Sequence, residues 1–262
     1  RTMRPMRAVP LALAFALAGA SATTVQADAF KPSKADQVKL GKRAAEDLRK
    51  QDKTKILPST DERVKVLRKV ASCLLSVIDD GKDPWEYSFD VIDSKEVNAF
   101  ALPGGPTFFF TGLLDKLSTE DQLAGVLAHE LTHVRREHWA YAYADNQKRA
   151  LGINLLLIFT KASSTVGNIA SIGNDLLFNL PFSRKHEKEA DEQGLDMMVK
   201  AGYNPTGMKQ VFEMLSKVSG GSKPPEWLSD HPDDKNRIKN MQERIDNMHK
   251  TFPPQKPLPW AK

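Results

Sequence analysis

A single cysteine, Cys73, is present in this chain of 262 residues, so no disulfide can form within it. It sits at helical spacing among Val70, Leu74 and Val77, the place of a small core residue. The N-terminal apolar run has no cysteine beside it, so lipid attachment there lacks a chemical handle. Internal repeats are absent. A strong excess of positive charge is missing as well. The formal net charge is +5, and three arginines within the first seven residues account for part of it, leaving +2 (5 − 3) for the remainder. That balance gives no footing for a nucleic-acid partner. Long apolar runs are scarce. The most apolar later stretch, 150–182, is broken by Asn154, Lys161, Asn168, Asn174 and Asp175. It therefore offers no uninterrupted span of the roughly 20 residues that a bilayer requires. It reads as a pair of buried or groove-lining helices, with a surface for membrane or unfolded substrate as the alternative.

What is present begins with a three-part leader. Arg1, Arg4 and Arg7 precede the apolar run 9–20, and Val25 and Ala27 are small residues at the positions a signal peptidase reads. Residues 1–27 are thus expected to be a cleaved signal peptide, with export as the consequence. Residues 28–60 read as a helical extension, 61–250 as the main domain and 251–262 as an extended, proline-rich tail. A helix is expected over the charged stretch 34–57. Val64, Leu67, Val70, Leu74 and Ile78 line one face of a second helix that ends at Asp80 and Gly81. Trp85, Tyr87, Phe89 and Val91 alternate with polar residues, the period of a half-buried strand. Residues 98–102 and 107–111 read as two more strands around the turn sequence PGGP. Ser118, followed by Glu120 and Asp121, reads as the cap of a further helix. Helices are also expected over 184–201, after Asn204 and Pro205, and over 235–249. The fold class is α+β, mostly helical, with a small sheet.

The chemistry lies in HELTH at 129–133. Residues four apart on a helix differ by about 40° around the axis and about 6 Å along it, so His129 and His133 can reach one metal ion from the same face. Glu130, offset to the side, can take a proton from water on that metal, the arrangement of a zinc peptidase helix. A catalytic zinc needs a third protein ligand and an open position. The pattern that places a third histidine six residues beyond the second is excluded, because that position is Trp139. Glu187 is the better candidate. Asp191 shares its helical face and can hydrogen-bond the free nitrogen of a ligand histidine. Glu189 falls on another face and is expected in solvent.

Further motifs accompany these: NAFALPGG at 98–105, GLL at 112–114, PFSRKHEKEAD at 181–191, AGYNP at 201–205, and His231-Pro232 with Arg237. With them the chain resembles, over about residues 61–248, the exported and membrane-linked zinc peptidases of the HtpX, BepA and LoiP (YggG) group. The CAAX prenyl and mitochondrial OMA proteases are related to that group. The resemblance implies a zincin-type domain with one zinc per chain on His129, His133 and Glu187, and Glu130 as base. It implies an edge strand along the cleft, in which Asn98, Ala99, Phe100 and Ala101 pair with substrate backbone. A protease that reads backbone suits unfolded or misassembled proteins, here in the periplasm of a Gram-negative cell. Contact with the outer membrane or its assembly machinery is a further expectation. His231 is implied as a residue that can take the open metal position and hold the enzyme latent, and Arg237 as a group for the oxyanion. A helix-capping role for His231 stays open. A chaperone or assembly factor with a latent zinc site is the second functional reading.

Overall fold

The computed structural model describes residues 30–158, 180, 182–218, 225–231 and 236–261, with the backbone alone at 151–158 and 218. The leader expected at 1–27 and most of the apolar stretch expected at 150–182 lie outside the described residues. No described helix is long and apolar enough to cross a membrane.

Helix α1 (Lys34–Lys50) opens on Ser33, whose hydroxyl accepts from the Asp36 amide, and closes with Arg49 and Lys50 at its negative dipole end. It ends seven residues short of the expected 57. The chain there has another use: Leu57 donates to the Val91 carbonyl and Asp93 to the Lys55 carbonyl, both at 2.8 Å. Helix α2 (Glu62–Leu75) is capped by Asp61 and buries Val64, Leu67, Val70 and Leu74, the expected face. It stops before Ile78, where the Ser76 hydroxyl bonds the Cys73 carbonyl. Cys73 is half-buried and packs against the core.

Three strands follow: β1 (Ser88–Ile92), β2 (Ala99–Ala101) and β3 (Pro106–Phe110). The sheet order is β1-β3-β2, with β1 parallel and β2 antiparallel to β3. Pairing of β1 begins at Ser88 opposite Pro106, later than the alternation that starts at Trp85. Before that point the Glu86 amide donates to the Gly104 carbonyl of the PGGP turn instead. Gly104 and Gly105 both have positive φ, 87° and 127°, which side-chain-bearing residues rarely adopt. The tight turn brings Leu102 back to donate to Pro106 at 2.7 Å. Of the three strands, β2 forms an edge.

A short helix α3 (Thr111–Leu114) leads to α4 (Glu120–Arg135), the central helix. Its cap is Thr119, not Ser118; the Thr119 hydroxyl accepts from the Gln122 amide, and the Gln122 side chain returns to the Ser118 amide. Every residue from Leu123 to Val134 is buried. Helix α5 (His138–Ile158) follows Glu137, whose φ of 53° turns the chain. Helices α6 (Arg184–Lys200) and α7 (Thr206–Val218) pack along α4. The Asn204 side chain accepts from the Thr206 amide at the start of α7. Helix α8 (Glu226–Asp230) and helix α9 (Arg237–Asn247) complete the order. The proline-rich tail lies against the start of α4: Glu120 donates to the Lys256 carbonyl, Leu258 to the Ser118 carbonyl, and Leu258 is buried. The Asp121 carboxylate joins these parts, accepting from the amides of Asn204 and Lys256.

Candidate metal centre

Four side chains converge where α4, α6 and the end of α8 meet. His129 and His133 come from one face of α4, Glu187 from α6, and His231 from the residue after α8. Their ligand atoms all lie within 4.8 Å of one another, and all four residues are buried. His129 Nε2 is 3.1 Å from His133 Nε2, 3.2 Å from His231 Nδ1 and 3.5 Å from Glu187 Oε2. Glu187 Oε1 is 3.5 Å from His133 Nε2 and 3.1 Å from His231 Nδ1. Four donors held tetrahedrally at about 2.0–2.1 Å from zinc stand roughly 3.3 Å apart, so this spacing fits that ion. Nitrogen and carboxylate donors also suit it chemically.

Glu130 lies beside the cluster, 2% exposed. Its Oε1 accepts from the Trp227 indole at 2.9 Å and lies 3.3 Å from His231 Nε2, while Oε2 accepts from the Ala101 amide at 3.2 Å. Burial pushes its carboxyl up, but the neighbouring His231 and His129 and the indole N–H bring it below the ordinary range. Glu187 is likewise pushed up by burial, yet held well below that range chiefly by His231 and His129. For His231 burial acts downward, and the two flanking carboxylates overcome it, raising the imidazole to about 10. Burial takes His133 well below its usual value.

Two further layers hold the ligands. Asp191, one turn beyond Glu187, places Oδ1 3.1 Å from His129 Nδ1. Arg237, the first residue of α9 and 5% exposed, donates to both oxygens of Asp191 and to the His231 carbonyl at 3.2 Å, and forms an ion pair with Glu187, its Nη1 2.9 Å from Oε2. Just past the end of α4, His138 is buried and pairs with His133 and Glu189. Burial and the adjacent His186 bring His138 down to about 4. Glu189 departs from its expected solvated position: its side chain is 23% exposed and bonded to Arg136 at 2.5 Å.

The strand residues Asn98, Ala99, Phe100 and Ala101 flank the cluster along β2. The Leu102 amide and Asn98 carbonyl face β3, so the alternate amides of Ala99 and Ala101 face the open edge. The Ala99 amide bonds its neighbour's side-chain oxygen, Asn98 Oδ1, and the Ala101 amide bonds Glu130. A cavity of about 350 Å³ opens here, with Asn98, Ala101, Glu130 and His231 on its wall and Phe100 and Phe182 adding apolar surface.

His129, Glu130, His133, Glu187, Asp191, His231 and Arg237 thus gather in one cluster, with Asn98, Phe100 and Ala101 on the wall of the adjoining cavity and Ala99 between them on β2. Sequence reasoning missed Trp227, His138 and Glu189. The first two had a signal, in that Trp227 stands one helical turn before His231 and His138 five residues after His133.

Comparison with known proteins follows the same lines. Residues 58–245 match the pattern of peptidase family M48. The chain is 33% identical over 208 residues to the mitochondrial metalloendopeptidase OMA1 of Danio rerio, covering 74% of this chain and 43% of that one. It is 32% identical over 194 residues to a putative beta-barrel assembly-enhancing protease of Vibrio cholerae, covering 71% and 39%. The beta-barrel assembly-enhancing protease of Escherichia coli K12 is 30% identical over 170 residues, covering 62% and 35%. The chain therefore spans about two fifths of the length of these relatives.

Proposed function

The chain belongs to peptidase family M48, and we propose that it is a zinc-dependent endopeptidase that hydrolyses misfolded or misassembled proteins of the cell envelope. The observation that carries this reading is the convergence of His129, His133 and Glu187 beside the carboxylate of Glu130. His129, His133 and Glu187 would hold one zinc ion, with Asp191 fixing the His129 ring. Zinc, when bound, lowers the pKa of its water toward about 7 and polarises the scissile carbonyl.

Glu130 takes one proton from the attacking water and returns it to the nitrogen of the departing amine as the C–N bond breaks. The Trp227 indole aims its carboxylate. Substrate backbone adds to the open edge of β2 over residues 98–101, an interaction that selects extended chains with little regard to sequence. For this to happen, Asn98 Oδ1 must release the Ala99 amide and Glu130 the Ala101 amide. Arg237, beside the ligand carboxylate, is the group proposed for the oxyanion.

His231 fits a latent state. It sits between Glu187 and Glu130, where an attacking water would have to bind. Release of His231 would then start turnover. The same contact gives some support to a second reading, an assembly factor or chaperone whose site seldom turns over. The periplasm of a Gram-negative cell is the proposed location, a reading that the leader-like pattern of residues 1–27 supports. The outer membrane or its assembly machinery is a proposed contact.

The test is zinc analysis of the purified chain together with casein cleavage. One zinc per chain, with cleavage lost on Glu187→Ala, is expected. A chain that binds no zinc, or full cleavage by that variant, overturns the proposal.

A further inference from the structure

His133 turns its Nδ1 away from the ligand cluster, to 3.1 Å from His138 Nδ1. The opposite nitrogen of His138, Nε2, lies 3.4 Å from Glu189 Oε2. This second ring is not a surface group. It is 1% exposed and stacks on His186 with centroids 4.5 Å apart and planes inclined by 13°. Glu189 is fixed in turn, with Arg136 Nε at 2.5 Å and Gln193 Nε2 donating at 2.9 Å to the same oxygen.

The hydrogens in this row can be assigned from its outer end. An ionised carboxylate only accepts, so His138 Nε2 carries the hydrogen that faces Glu189. A neutral imidazole has one N–H, so His138 Nδ1 is bare and accepts. The hydrogen between the two rings therefore belongs to His133 Nδ1. That leaves a lone pair on His133 Nε2, the nitrogen 3.1 Å from His129 Nε2 and directed at the cluster. A free imidazole prefers its hydrogen on Nε2, the tautomer that cannot bind metal through that atom. An acceptor at Nδ1 reverses the preference.

We propose that His138 is a positioning residue for the metal site, holding His133 in the Nδ1–H tautomer and at the ring angle that metal binding through Nε2 requires. It does for His133 what Asp191 does for His129, but through a neutral ring backed by a carboxylate. Both histidines of the HELTH helix are then held through their Nδ1 atoms, His129 by Asp191 and His133 by His138. The inference rests on the reading of His129, His133 and Glu187 as metal ligands.

The experiment measures zinc affinity by competition with a chromophoric chelator, and the melting temperature of the zinc-free protein. His138→Phe keeps a ring against His186 and removes the acceptor. It should weaken zinc binding about 10- to 100-fold, the usual effect of losing such a partner, with little change in the zinc-free melting temperature. His138→Gln, whose amide oxygen can accept from His133, should recover part of the loss. The imidazole nitrogen spectrum of the zinc-loaded wild type should show His133 protonated at Nδ1. Glu189→Leu interrupts the row at its outer end without touching the buried ring, and should weaken zinc binding in the same direction even if His138→Phe does not fold. Wild-type zinc affinity in either folded variant, or a hydrogen on His133 Nε2, overturns the inference. A wild-type chain that binds no zinc sinks the metal reading itself, and so the two failures are separable.

Discussion

The guanidinium of Arg237 clamps Asp191, with Nε donating to Oδ2 at 2.8 Å and Nη2 to Oδ1 at 2.7 Å. Because Asp191 Oδ1 also lies 3.1 Å from His129 Nδ1, the clamp links α9 to a ligand ring on α4. Arg237 additionally touches Glu187. Arg237→Lys cannot reproduce a two-pronged contact. Zinc affinity is expected to fall about 10-fold or more, as for other partners of metal ligands. If zinc affinity stays at the wild-type value while kcat for a peptide falls, the guanidinium serves the oxyanion instead.

Glu130→Gln keeps the size of the side chain and an oxygen for the Trp227 indole, but cannot take a proton. Casein hydrolysis should drop by about 10²- to 10⁴-fold, the range for loss of a general base. Zinc content should remain at one per chain. Intact client binding by this variant would support the protease reading, whereas full biological function without Glu130 would favour the chaperone.

His231→Ala removes the imidazole that lies 3.1 Å from Glu187 and 3.3 Å from Glu130. If His231 holds the site latent, basal casein cleavage rises in this variant. An unchanged or lower rate assigns the residue to catalysis or to structure.

The same histidine should govern the pH response of the zinc-free protein. Its pKa is raised in the fold to about 10, from an ordinary 6.5, by Glu187 and Glu130 acting against burial. A raised base binds its proton more tightly when folded, so its contribution to stability is full below about 6.5 and lost as pH climbs through about 10. The melting temperature of chelator-treated wild type should therefore fall over that window, with a shallower fall for His231→Gln. Parallel curves for the two proteins would show that His231 is not the group responsible.

Much of this site could be read from residue spacing. His129 with His133, and Glu187 with Asp191, each stand one helical turn apart, and a helix turns such spacing directly into a shared face. The strand residues Phe89 and Val91 were equally plain, because alternation of burial is a local property. Position along a single helix failed for Glu189. A helical wheel gives its direction but not what stands opposite, and here Arg136 and His138 from across the α4–α5 junction enclose it. The spacing of Trp227 from His231 hints at the site, but its bond to Glu130, 97 residues away, is not legible from spacing. Helix ends were also misjudged where a non-local bond took over, as at 55–57, whose backbone pairs beside β1.

Gly125 provides a test of how α4 is seated. It lies one turn before His129, and a Cβ built on it would fall 2.6 Å from the Met208 Cα and 2.9 Å from the Met208 amide nitrogen on α7. On propensity alone, Gly125→Ala would stabilise a helix by about 0.5–1 kcal/mol. The clash is with backbone, which no rotamer change relieves, and forcing a methyl group into such a contact costs about 1–3 kcal/mol. The second effect wins, so the variant should be less stable by about 1–2 kcal/mol, which lowers the melting temperature of a domain this size by about 2–4 °C per kcal/mol. The displaced atoms belong to α7, which supplies none of the four clustered side chains, so zinc should still bind at one per chain. A melting temperature above wild type would mean that α4 and α7 do not approach backbone to backbone, and that the helix carrying both histidines is seated differently from the arrangement described.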